Sequence, residues 1–316
     1  MEMQESTYWL WMAGSALLAF GLFCGVGLRG ERRQGKLGGL SLLLGSAGGL
    51  LGAKVSYYLC QITFMIAAGW KESLFCLHPE ELSFFGGAAG VCLGVALAAR
   101  LAGERPIRVL DLFAPWGLLL GALARFGENF LGQMGIGPYL ENPSLCFFPL
   151  AKGFSYGEDW TEWYLAVFVL EGLAMLAVAA VSFFRFREHR FLRSLFWLCL
   201  PQILLENLRM GSFMWFFCIR VEQLACMVTM FVLLILYGLR GETGWRRFRP
   251  AGIALLCAGL FIVCEFALEG KIAFLRFLNQ EACYGLMALG QAVLGAVEIR
   301  AFRRMVQREK DERTGK

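Results

Sequence analysis

Eight ionisable residues lie inside stretches that are otherwise apolar enough to cross a lipid bilayer: Lys54, Arg125 and Arg209, with Asp111, Glu128, Glu171, Glu206 and Glu265. Such a residue costs roughly 2.5–3.5 kcal/mol on insertion scales, so it usually has a partner or a task. Arg125, Glu128, Asn129 and Gly132 follow the i, i+3, i+4, i+7 spacing of one helix face. Gln202, Glu206 and Arg209 share a face by the same rule. Two helices would then each present an arginine, a carboxylate and an amide to a bundle interior. One reading is ion pairing that holds helices together. The other is an anion site with spare positive charge, to which the planar arginine fork would bring two parallel hydrogen bonds for a phosphate.

The elements that must position these groups follow from composition. Of 316 residues, 58% are hydrophobic and 17% charged, which excludes an ordinary soluble domain and points to a membrane protein. Nine apolar runs are long enough to span: roughly 7–28, 37–66, 84–101, 109–131, 162–184, 194–216, 221–239, 251–269 and 283–299. The second is long enough to tilt or break. With the N-terminus outside, 22 of the 30 Lys and Arg fall in inner segments and the tail, and five (Lys71, Lys152, Arg220, Lys271, Arg276) in outer segments. That bias sets the expected topology, N-terminus out and C-terminus in. It places Lys54, Arg125 and Arg209 in the outer half of the membrane. The net charge of +5 is then a topology signal and does not call for nucleic acid. The first span has an acidic flank, Glu2 and Glu5, unlike the basic flank of a cleaved signal peptide.

The expected fold class is all-α, a polytopic transmembrane bundle with a seven-helix core over 1–240, an additional pair of spans over 241–300, and a charged cytoplasmic tail over 301–316. The second and third spans carry Gly45, Gly49 and Gly52, and Gly86, Gly90 and Gly94, which let helix backbones approach closely in lipid. The segment from about 133 to 160 reads as a polar, turn-rich outer loop with Phe147, Phe148, Tyr156 and Trp160 at the interface. The tail reads as a solvated end that can rest on anionic lipid. The 11 cysteines contain no CxxC pair and read mostly as apolar filler, although Cys76 and Cys146 fall in outer loops where they could pair.

Several short stretches resemble, in order and spacing, the bacterial prolipoprotein diacylglyceryl transferase family. Gly52-Ala53-Lys54-Val55-Ser56-Tyr57-Tyr58 is similar to its Gly-Ala/Gly-Arg-x-x-Tyr. Ser83-Phe84-Phe85-Gly86-Gly87-Ala88-Ala89-Gly90 is similar to Ser-x-His/Tyr-Gly-Gly-x-x-Gly, and Asp111-Leu112-Phe113-Ala114-Pro115 to Asp-x-x-Ala-Pro. Ala124-Arg125-Phe126-Gly127-Glu128-Asn129-Phe130-Leu131-Gly132-Gln133 resembles the signature Gly-Arg-Ile-Gly-Asn-Phe-x-Asn-Gly-Glu. Glu171 stands where the family has Tyr-Glu, Glu206-Asn207-Leu208-Arg209 resembles Glu-x-x-Arg, and Glu222-Gln223 resembles Gly-Gln. The likeness covers roughly residues 7–240 and leaves out the last two spans.

The resemblance implies transfer of a diacylglyceryl group from phosphatidylglycerol to the lipobox cysteine thiol of an exported prolipoprotein, at the outer leaflet of the bacterial cytoplasmic membrane. It implies no cofactor and no metal; the partners are membrane lipids and prolipoproteins. It assigns catalysis to Arg125, Arg209, Glu128 and Glu206, and phospholipid binding to Lys54, Tyr57, Gly86, Gly87, Asn129 and Glu171. Three departures from the pattern bear on the chemistry. Phe85 replaces a His or Tyr, and a phenyl ring accepts no proton. Gln133 replaces the last Glu of the signature, while Glu128 replaces its first Asn, one turn from Arg125. The general base stays unassigned; His78 lies in the preceding outer loop beside Pro79, where a histidine is ordinarily solvated. A homologue that binds phospholipid and has lost the reaction is the alternative. A transporter would need polar residues continuing inward, which only Asp111 and Glu171 offer.

Overall fold

The computed structural model describes residues 2–31, 33–68, 77–156, 160–210, 215–216, 219–270 and 278–314. Nine α-helices run through the described residues: α1 Glu2–Leu22, α2 Gln34–Ala68, α3 Phe84–Ala102, α4 Pro106–Gly127, α5 Val167–Phe184, α6 Arg190–Leu208, α7 Val221–Gly241, α8 Arg249–Leu268 and α9 Gln280–Thr314. Eight are long and apolar enough to cross a membrane. The remaining one, α6, carries Arg193, Gln202, Glu206 and Asn207 within its length. The fold is the expected polytopic helical bundle. The second apolar run does not break: α2 is continuous over 35 residues.

One local expectation is corrected. The outer segment is not all loop. It folds into an antiparallel hairpin of β1 Ala151–Tyr156 and β2 Trp160–Leu165. The stretch before it lies along the other edge of β2, with Gly137 N–H bonded to Leu165 O (2.7 Å) and Leu140 N–H to Trp163 O (2.8 Å). Those bonds satisfy edge groups that would otherwise stay open. A shorter pair, β3 Trp215–Phe216 and β4 Ile219–Arg220, precedes α7. The charged tail is helical, with α9 running on through it to Thr314, and most of its charged residues are exposed. It packs on the end of α7, where Arg304 pairs with Glu242 and Gly241 lies against Met305. The pairing of Cys76 with Cys146 lies outside the described residues on the Cys76 side; Cys146 Sγ is near Asn142 O (3.3 Å).

The chain divides into two compact units, Met1–Ser194 with Leu208–Met214, and Leu195–Asn207 with Trp215–Lys316. In the first, Phe20, Phe23 and Phe113 form an aromatic core with Val95 and Ala99; Phe20 stacks on Phe113 at 5.3 Å. The glycines of α2 and α3 serve direct backbone contact. A Cβ on Gly90 or Gly94 would strike Gly48 O or Leu44 O. Lipid offers no hydrophobic drive between helices, so this close fit carries their association. Gly90→Val is expected to lower stability by about 1–3 kcal/mol, the usual cost of overpacking, measurable as an earlier thermal unfolding midpoint in detergent micelles. An unchanged midpoint would mean that α2 and α3 separate freely.

In the second unit α7, α8 and α9 pack together. Trp197 on α6 donates its indole N–H to buried Glu298 on α9 (3.2 Å), and Tyr237 on α7 meets Phe302 on α9 at 5.6 Å.

Candidate functional site

The last turn of α4 places Arg125 three residues before Glu128, and their side chains meet at 2.6 Å. The helix then stops. Glu128–Phe130 forms a 3-10 turn, and Gly132 and Gly135 both take positive φ (32° and 68°). Gly135 is needed twice over. A side chain there would be strained at that φ, and its Cβ would occupy the space of the Glu128 carboxylate and of Phe168.

The carbonyls of the same short segment hold two other elements. Gly135 O accepts from Phe168 N–H (2.9 Å), which fixes the start of α5 one turn before Glu171. Ile136 O accepts from Met210 N–H (2.7 Å), which fixes the chain just beyond α6 beside Arg209. Four charged side chains are thereby brought into a closed ring of alternating sign. Arg125 Nη1 lies 2.6 Å from Glu128 Oε1, and Arg125 Nε 3.1 Å from Glu171 Oε2. Arg209 closes it, Nη1 at 2.6 Å from Glu171 Oε2 and Nη2 at 3.0 Å from Glu128 Oε2. The side chains are 2% (Arg125), 0% (Glu171), 9% (Glu128) and 10% (Arg209) exposed. At this burial each charge costs several kcal/mol of desolvation unless its partner stays in place. The ring's formal charge is zero.

Phe84, the first residue of α3, covers the Arg125 guanidinium at 4.1 Å from the ring centre, a cation–π contact strengthened by desolvation. Its neighbour Ser83 caps α3 by accepting from Gly86 N–H (3.2 Å). Lys152, on β1, donates to Asn129 O and Gly132 O, both at 2.8 Å. These carbonyls follow the helix break, where no helical N–H remains to serve them.

Other residues picked out from the sequence lie elsewhere. Arg209 and Glu206 do not share a helix face, because α6 ends at Leu208 and the Met210 N–H is taken by Ile136 O. Glu206 instead pairs with Arg220 (3.8 Å) within the second unit. Asn129 and Gly132 do not continue the Arg125 face, since the helix has ended before them; Asn129 is exposed and contributes its carbonyl to Lys152. Lys54 pairs with Glu81 at 2.5 Å and lies 5.1 Å from the Tyr58 ring, with Tyr57 adjoining Tyr58. Gly86 and Gly87 face α2, against Ser56 and Ala53 respectively. Asp111 accepts from Phe191 N–H at 2.7 Å, a cap for the first turn of α6. His78 is exposed. Among the described residues no three His, Cys, Asp or Glu side chains gather closely enough to hold a metal ion.

Phe84 and Lys152 were not legible as site residues. In the sequence the first opens an apolar run and the second is one cation of the outer segments. Only the adjacency of Phe84 to the Gly-Gly stretch hinted at a place near the site.

Two arginines and two glutamates, buried together where three helices end, sit in a stretch whose order of motifs can be compared with known families. The sequence model of the prolipoprotein diacylglyceryl transferase family matches residues 7–239. The chain belongs to that family. The match runs from within α1 to all but the last residues of α7, so every member of the charge ring falls within it and α8 and α9 fall beyond it. Comparison with curated proteins finds no match. Diacylglyceryl transferases of this kind act on prolipoproteins, and the chain is accordingly a multi-pass membrane protein of a transferase family.

Proposed function

We propose that the chain transfers a diacylglyceryl group from phosphatidylglycerol to the lipobox cysteine thiol of an exported prolipoprotein, at the outer leaflet of a bacterial cytoplasmic membrane. The observation that carries this is the buried ring of Arg125, Glu128, Arg209 and Glu171 in a chain of the transferase family. The distribution of Lys and Arg supports an outside N-terminus and a cytoplasmic C-terminus. Residues 1–240 act as the transferase core, and 241–300 as an added pair of spans.

In the reaction a thiolate sulfur attacks the glyceryl carbon that bears the phosphate ester. The C–S bond forms as the C–O bond breaks, and the bonding pair leaves on oxygen. The phosphate passes from one negative charge to two, so charge develops on the leaving group. Preorganised cations at that point lower the barrier, because they need no reorganisation when the charge appears. Arg125 and Arg209 hold the phosphate. A guanidinium carries five N–H donors, enough to serve a carboxylate and a phosphate together. Glu128 and Glu171 orient both forks and keep them charged and apart. Lys54 with Tyr57 border the bound lipid, Gly86 and Gly87 seat α3 against α2 beside them, Asn129 flanks the headgroup, and Glu206 takes part through its pairing with Arg220.

The test is an assay of the purified chain in mixed micelles with phosphatidylglycerol and a lipobox peptide. Thioether-linked lipopeptide and glycerol phosphate should appear in equal amounts. Phospholipid that binds without turnover would instead assign the chain a lipid-binding role.

A further inference from the structure

Lys152 places a fifth charge on the segment that follows Glu128. Its ammonium spends two hydrogen bonds on Asn129 O and Gly132 O, each 2.8 Å, and an ammonium has three donors. The Nζ lies 5.3 Å from the centre of the Phe154 ring and 5.7 Å from that of Phe168. Phe168 in turn abuts Gly135, against which the Glu128 carboxylate is seated. Across the hairpin Lys152 is opposite Tyr164, whose hydroxyl donates to Glu162 at 2.8 Å. The groups around the ammonium are therefore two carbonyls, two aromatic rings, Tyr164 with its bound Glu162, and Glu128. Burial pulls the Lys152 ammonium from the ordinary lysine value down to about 8, and Glu128 acts in the opposite direction.

The ring alone is two positive against two negative, and a site of zero formal charge has little long-range preference for an anion. With Lys152 the count over the ring and the ammonium beside it is three positive against two negative; Glu162, on the hairpin, is engaged by the Tyr164 hydroxyl and the Trp160 indole N–H. We propose that Lys152 is a specificity-determining residue of the transfer site: its ammonium supplies the surplus positive charge by which the site selects an anionic phospholipid, and its third N–H goes to the departing phosphate. This rests on the transferase reading. Lys152 stays protonated throughout the step and takes no proton from the thiol.

The sign of the pH dependence follows. The surplus charge is present below about pH 8 and is lost as pH rises through that value. Thiol attack strengthens in the same direction, toward the thiol's own pKa of about 8.5. The wild-type pH profile of kcat/KM should therefore rise and then fall. Lys152→Arg, charged at every accessible pH, should keep near-normal activity at pH 7 and lose the falling limb. Lys152→Gln retains amide donors for the carbonyls and lacks the charge. It should lose about tenfold to a hundredfold in kcat/KM at pH 7, the range for a hydrogen bond to a charged group, and converge on wild type above pH 9. Thermal unfolding of each variant confirms that it is folded. A Lys152→Gln protein as active as wild type at pH 7 would overturn the proposal. A folded but inactive Lys152→Arg would also overturn it, since that result would make Lys152 the proton acceptor. Binding separates this proposal from the reading beneath it. Wild type should prefer phosphatidylglycerol to diacylglycerol in micelles, and Lys152→Gln should weaken that preference about tenfold to a hundredfold, with Arg125 and Arg209 still in place. A wild type that shows the preference without turnover sinks the transferase reading and leaves the recognition role of Lys152 standing. A preference unchanged by Lys152→Gln sinks the recognition role itself.

Discussion

Arg125→Ala is expected to reduce transfer by about a hundredfold to a thousandfold, the loss seen when one preorganised donor to a developing charge is removed. The effect should fall on kcat more than on KM, because the phosphate gains its second charge only as the C–O bond breaks. Arg125 is the most constrained member of the ring: it contacts both carboxylates and lies under Phe84. Arg125→Lys keeps the charge but replaces a planar fork that spans Glu128 and Glu171 with a single ammonium. It should recover folding better than activity. The check is initial rates of lipopeptide formation for wild type and both variants, at matched amounts of folded protein. Normal turnover in Arg125→Ala would remove the ring from the chemistry.

The second large effect is on stability. Glu171 is fully buried and touches both arginines. Glu171→Ala leaves two guanidinium groups facing a single carboxylate, and breaking a buried pair in this way costs about 3–5 kcal/mol. The double replacement of Arg125 and Glu171 by leucine removes one charge of each sign and should unfold later than Glu171→Ala alone, while remaining inactive. Thermal unfolding in detergent, followed by the near-ultraviolet signal of the nine tryptophans, reads both. A Glu171→Ala protein as stable as wild type would mean that water or another group already solvates the arginines.

The transmembrane frame was legible because the relevant signal is a long apolar run, and lipid demands helices wherever one occurs. Each of the nine runs corresponds to a helix, α1 to α9, and eight of these, all but α6, are long and apolar enough to cross a membrane. The Arg125–Glu128 pair was legible because both residues fall within one turn at the end of α4. What defeated the same reasoning for Glu206 and Arg209 was a helix that stops one residue early. Periodicity carries no mark of that stop, and its cause is a hydrogen bond to Ile136, more than 70 positions away. The hairpin was hidden by composition: Gly153 and the turn residues around it mask the alternation that Lys152, Phe154, Tyr164 and Glu162 make across the strands. Lys152 escaped for a related reason. Its partners are backbone carbonyls, and a carbonyl has no side-chain signature in sequence. The ring itself is assembled by Gly135 and Ile136, residues that contribute backbone only, and no pairing of charged residue types points to them.

The central claim is that Arg125 and Arg209 receive the donor phosphate. A structure of the protein with a non-hydrolysable phosphatidylglycerol analogue, its bridging oxygen replaced by carbon, tests it most directly. Phosphate oxygens are expected within about 3 Å of both guanidinium groups, the reach of a charge-assisted hydrogen bond, with Glu128 and Glu171 still holding the opposite edges. A headgroup bound elsewhere, with the four-membered ring closed as it stands here, would contradict it and leave the ring as a device for joining α4, α5 and the end of α6.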